Sequence, residues 1–90
     1  MGDLEKEVEI QNKLGLHARP AARLVQLANR FSSDILVKSG DEEVNGKSIM
    51  GILMLAAAQG SRLKIRVRGE DAKPALDAIV QLVKDKFGEE

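Results

Sequence analysis

His17 is the one histidine of this 90-residue chain, and it stands two residues before Arg19 and three before Pro20. Pro20 has no N–H and is at home in the first turn of a helix. Ala21, Leu24, Val25 and Ala28 then recur at i, i+3, i+4 and i+7, the period of an amphipathic helix that starts beside the histidine. A helix N-terminus offers unpaired amides and a partial positive charge, a setting suited to phosphate. Imidazole, free amides and guanidinium together could accept a phosphoryl group and pass it on. A lone histidine is also a common surface or capping residue, so the spacing alone leaves both roles open. Gly15 adds backbone freedom for a close approach, or simply makes a turn.

A second cluster is Gly46-Lys47-Ser48, which resembles the end of a phosphate-binding P-loop. That loop needs four residues between its first glycine and the Gly-Lys pair; Gly40 leaves five, and Asp41, Glu42 and Glu43 would repel a triphosphate. Ser48 reads instead as an N-cap, contributing about 1 kcal/mol. A phosphoryl group on its hydroxyl would lie at the positive end of the helix, so modification is compatible with folding. In the next segment Ile49, Met50 and Leu53 cannot all face inward beside Ile52 and Leu55, which points to a docking face. Met50 is suited to several partners by its flexible, polarizable side chain.

These residues must be positioned by a single domain spanning residues 1–90. Fourteen basic and fourteen acidic residues balance, leaving no basic excess for nucleic acid. The only aromatics are Phe31 and Phe87, both at expected core positions, so no platform exists for stacking bases. No apolar run is long enough to insert into a membrane. The first residues lack signal-peptide regions, and cysteine is absent, so a cytoplasmic protein without disulfides is expected. One histidine and scattered acids give no metal centre, and no cofactor is expected.

Period-two alternation predicts strands over 5–10, 34–38, 42–45 and 62–68. Helices are expected from about Ala18 to Asn29, from Ile49 to Ala56 behind Ser48, and after Glu70-Asp71, with Pro74 in the first turn. Leu76, Ile79, Val80, Val83 and Phe87 make the buried stripe of the last helix. The order is β-α-β-β-α-β-α, an α+β fold with helices on one face of a sheet.

Taken together, the chain resembles the HPr family, the histidine phosphocarriers of the bacterial phosphoenolpyruvate–sugar phosphotransferase system. Gly15-Leu16-His17-Ala18-Arg19-Pro20-Ala21 is similar to the family's active-site motif, and Val44-Asn45-Gly46-Lys47-Ser48-Ile49-Met50-Gly51 to its regulatory serine region. The Gln59-Gly60 turn and the element order extend the resemblance over nearly the whole chain.

The resemblance implies an open-faced β-sandwich with a four-stranded antiparallel sheet covered on one face by three helices. It implies phosphorylation of His17 on Nδ1 by enzyme I, using phosphoenolpyruvate, then transfer to enzyme IIA, with Arg19 neutralising phosphoryl charge. It further implies modification of Ser48 by HPr kinase/phosphorylase, and a partner-binding surface of Ala22, Arg23, Lys47, Ile49, Met50 and Leu53. Such a protein is a monomeric carrier rather than an autonomous catalyst. Leu14 departs from the pattern, since many members carry serine or asparagine three places before the histidine.

A mainly regulatory module in carbon or nitrogen signalling is the alternative, though such a module could dispense with His17 and Arg19. One structural expectation is independent of the family's chemistry. Glu5, Glu7 and Glu9 share one face of the first strand, and Arg62, Lys64, Arg66 and Arg68 one face of the fourth; if the two are antiparallel neighbours, as the resemblance implies, an acidic comb faces a basic one on the open side of the sheet and consumes its charge internally.

Overall fold

Alternating apolar and charged residues build a four-stranded sheet, and three helices close over its apolar side. The computed structural model describes residues 3–89. The strands are β1 (Leu4–Glu9), β2 (Asp34–Ser39), β3 (Glu42–Asn45) and β4 (Arg62–Arg68); the helices are α1 (Ala18–Ala28), α2 (Ile49–Met54) and α3 (Ala72–Lys84). All pairings are antiparallel, in the order β1-β4-β2-β3. This is the α+β architecture expected from the sequence.

Val8, Ile35, Val37, Leu63, Ile65 and Val67 point from the strands into the core. They meet Ala21, Leu24 and Ala28 of α1, Ile52 of α2, and Ala75, Ile79 and Val83 of α3. The α3 helix lies over β1 and β4, while α1 packs between α2 and α3. Burying each large aliphatic side chain contributes about 1.5–3 kcal/mol, so this layer is the main driving force for the fold.

Two helix ends differ from expectation. The α2 helix stops at Met54 rather than running to Ala56, because Ala56 takes a left-handed φ of 46°. A residue in that conformation ends a helix, as glycine commonly does. Likewise α3 stops at Lys84, and Phe87 does not extend its stripe. Lys86 and Phe87 both have positive φ, 57° and 55°, and the chain doubles back so that Phe87 enters the core fully buried.

The comb arrangement is realised in register but only partly in charge. Glu5 lies opposite Arg66, Glu7 opposite Lys64 and Glu9 opposite Arg62. The ion pairs run diagonally or beyond β1: Arg62 to Glu7 at 3.2 Å, Arg66 to Glu43 at 3.0 Å, and Arg68 to Asp3 at 3.6 Å. Lys64 makes none among the described residues, so the basic charge is not fully consumed. The reason is reach: an arginine fork spans to a neighbouring carboxylate and takes the partner that faces the lysine.

Asp71 was expected to open α3 by charge, yet its carboxylate turns away from the helix. It accepts hydrogen bonds from the amides of Ser32 and Ser33, both at 2.9 Å, and from the Ser33 hydroxyl. Gly69 lets the two loops touch, since a Cβ there would lie 2.5 Å from the Ser33 hydroxyl oxygen. The Ser33 hydroxyl, then the Ser32 amide, hold the Asp71 carboxyl down to about 2, with burial opposing. A depressed carboxyl stabilises the fold fully above its unfolded value, near 3.8, and that contribution is lost as pH falls toward 2. Asp71→Asn should therefore lower the melting temperature at pH 7 and flatten its fall between about pH 4 and pH 2. Parallel acid limbs for the two proteins, measured by thermal denaturation, would contradict this role.

Candidate functional site

His17 is the N-cap of α1, with extended backbone and no side-chain cap bond. Pro20 carries no N–H, and the Ala21 amide reaches the His17 carbonyl at 3.0 Å. The amides of Ala18 and Arg19 are thus the first-turn donors left outside the helical ladder. Gly15 (φ 68°) sets the approach to this turn, for a Cβ there would lie 2.5 Å from the Ala57 carbonyl oxygen. The Leu16 amide bonds that same carbonyl at 2.8 Å, fixing the histidine loop to the segment after α2.

The imidazole is half-buried, and its Nε2 contacts the Glu89 carboxylate at 3.0 and 3.2 Å. Asn12, fully buried, holds that carboxylate from the other side: its Nδ2 donates to Glu89 Oε1 at 3.0 Å and to the Gly15 carbonyl at 2.7 Å. Burial pushes the Glu89 carboxyl up, but the His17 and Asn12 hydrogen bonds and the charges of His17 and Arg19 outweigh it. The net shift is downward. An ionised carboxylate only accepts, so Nε2 carries a proton, and in the neutral ring the lone pair lies on Nδ1. Arg19 is exposed, within electrostatic reach of Glu89.

Ser48 caps α2 as expected, its hydroxyl accepting from the Gly51 amide at 3.2 Å. The apolar surface of α2 extends beyond the expected residues. Ile49 and Met50 are exposed and Leu53 is partly buried against the core; Met54, one helical turn after Met50, is exposed as well. Leu14 is 75% exposed, an apolar side chain on the histidine loop. Ala22 is half-buried. Arg23 and Lys47 have structural partners: the Arg23 guanidinium donates to the Phe87 carbonyl, and Lys47 Nζ to the Phe31 carbonyl at 2.7 Å.

Sequence reasoning missed Asn12 and Glu89. Asn12 stands in a loop of polar residues with no spacing to mark it, and Glu89 lies 72 positions from His17.

A family model described as the PTS HPr component phosphorylation site matches residues 4–85. The chain belongs to the HPr family, the phosphocarriers of the phosphotransferase system. It is 45% identical to the phosphocarrier protein HPr of Xylella fastidiosa (strain Temecula1) over 87 residues, 97% of this chain and 98% of that one. It is 44% identical to the phosphocarrier protein NPr of Shewanella violacea over 89 residues, 99% of this chain and 98% of the other. The crystal structure of HPr from Thermoanaerobacter tengcongensis superposes with a TM-score of 0.93 at 50% identity, covering 97% of this chain and 98% of its own. An HPr dimer from the same organism matches with a TM-score of 0.78 at 51% identity, over 91% of this chain and 94% of its own.

Glu89→Ala removes the acceptor of the Nε2 proton. In wild type, ring-nitrogen NMR shifts near neutral to alkaline pH should report the Nε2–H form. The variant should move toward a mixture of tautomers. Identical ring shifts in both proteins would show that the carboxylate does not orient the imidazole.

Proposed function

We propose that this HPr-family protein accepts a phosphoryl group on His17 Nδ1 from enzyme I, which draws it from phosphoenolpyruvate, and delivers it to enzyme IIA. The supporting observation is the bond from Nε2 to Glu89, which leaves the Nδ1 lone pair as the ring's nucleophile. That lone pair forms the N–P bond as the donor's bond to phosphorus breaks, and the second transfer reverses these roles. The proton stays on Nε2 throughout, facing the carboxylate. Arg19 and the amides of Ala18 and Arg19 neutralise the phosphoryl oxygens.

Ser48 is the regulatory site in this reading, modified by an HPr kinase/phosphorylase. Ile49, Met50, the part-exposed Leu53 and Met54 present the apolar surface that docks partners, together with Ala22, Arg23 and Lys47. The protein acts as a cytoplasmic monomer. A mainly regulatory role would make no use of the His17–Glu89 pairing.

Incubation with enzyme I and labelled phosphoenolpyruvate tests the assignment. Wild type should take up acid-labile, base-stable phosphate, and His17→Ala none, with its melting temperature little changed. Full labelling of the alanine variant would refute the site. Arg19→Ala should slow transfer about tenfold, one exposed charge being worth less than a buried oxyanion donor.

Ser48→Asp should fold with stability equal to or up to about 1 kcal/mol above wild type, because a carboxylate favours a helix N-terminus. Transfer from enzyme I should nonetheless fall, since the new charge lies beside Ile49 and Met50. An unchanged rate would leave Ser48 as a cap only.

A further inference from the structure

The open face of the sheet carries four charged residues at one level: Glu7 on β1, Lys64 on β4, Lys38 on β2 and Glu43 on β3, each opposite the next. The two lysines are direct cross-strand neighbours in the middle of this row. Side chains so paired have Cβ atoms about 4.5–5.5 Å apart, and like charges there repel. Both flanking carboxylates are drawn off by arginines, Glu7 by Arg62 and Glu43 by Arg66. Among the described residues neither lysine has an ion pair.

The lysines border a hollow of about 460 Å³ whose walls include Glu7, Ser39, Gly40 and Arg62. That volume is within the range of small-molecule sites. Three cations and one carboxylate line it, an excess of two positive charges. No wall comes from α1, α2 or the Glu89 segment, so it is separate from the His17 site.

We propose that this hollow binds a phosphate dianion, carried free or on a phosphomonoester. A phosphate monoester has a second pKa near 6, and its two charges above pH 7 match the excess. Lysine ammonium groups bind phosphate as point charges, and the Arg62 guanidinium adds directional donors. A bound dianion between Lys38 and Lys64 also converts their repulsion into two attractions. The ligand thus stabilises the fold that binds it.

Titration of the ¹⁵N-labelled protein at pH 8 with inorganic phosphate and with glycerol 3-phosphate, against sodium chloride of equal ionic strength, tests this. Saturable shifts are expected at residues 38–40 and 61–64 with both phosphates and not with chloride. Tighter binding of glycerol 3-phosphate assigns the site to esters, and the opposite order to free phosphate. Lys64→Gln should weaken binding at least fivefold, while Lys64→Arg retains it. Without phosphate, Lys64→Gln should melt about 1–4 °C higher, because the repulsion is gone. Labelling of His17 through enzyme I should proceed at the wild-type rate in Lys64→Gln. Shifts confined to residues 17–21, an equal response to chloride, or undiminished binding by Lys64→Gln would each overturn the proposal.

Discussion

The site depends on the reversal of the chain after α3. Lys86 and Phe87 both adopt left-handed backbone, which costs roughly 1–2 kcal/mol for each non-glycine residue. Full burial of Phe87 returns about 1.5–3 kcal/mol. Amide bonds from Gly88 to Asp85 and from Glu89 to Lys86, both 3.0 Å, contribute roughly 0.5–1.5 kcal/mol apiece. Arg23 of α1 then clamps the Phe87 carbonyl. Two residues later the Glu89 carboxylate meets His17. Core packing and the orientation of the imidazole are therefore coupled through one aromatic side chain.

Asn12 completes this coupling. Its amide nitrogen joins the Gly15 carbonyl to Glu89, linking the segment after β1, the turn before α1 and the segment after α3. The Asn12 Oδ1 is buried and has no partner among the described residues. The asparagine itself is fully buried, so the packing around it fixes its amide group. It serves to hold an ionised carboxylate at a fixed place beside the ring.

Much of this molecule was legible in its sequence. While the antiparallel order of the sheet came from the resemblance to the HPr family, the strands, the faces they bury and the placement of His17 follow from period-two alternation and from one proline near a helix start. These are local patterns, each repeated over several residues. Glu89 and Asn12 were not legible, because a contact over 72 positions depends on how the whole core closes. The ends of α2 and α3 were misjudged because alanine, lysine and phenylalanine give no signal for the left-handed backbone they adopt at 56, 86 and 87. Met54 was not picked out as an exposed neighbour of Met50 because one step along a helix turns a side chain by a hundred degrees, finer than apolar composition can resolve.

The exposure of the histidine explains why this architecture suits a carrier. An enzyme that completes a reaction alone gains from a closed, dry pocket, where fixed dipoles act strongly on the transition state. A carrier must be loaded by one protein and discharged to another, so too deep a hold on its phosphoryl group would slow the second step. Here the imidazole is 35% exposed, whereas the carboxylate that orients it is 14% exposed. The carboxylate is thus the more sheltered of the two groups and the ring the more open. In the proposed function the donors for phosphate are two backbone amides and one solvated guanidinium, enough to neutralise charge but not to enclose it. In that function each partner supplies the rest of the transition-state environment, and the apolar surface of α2 is where it docks.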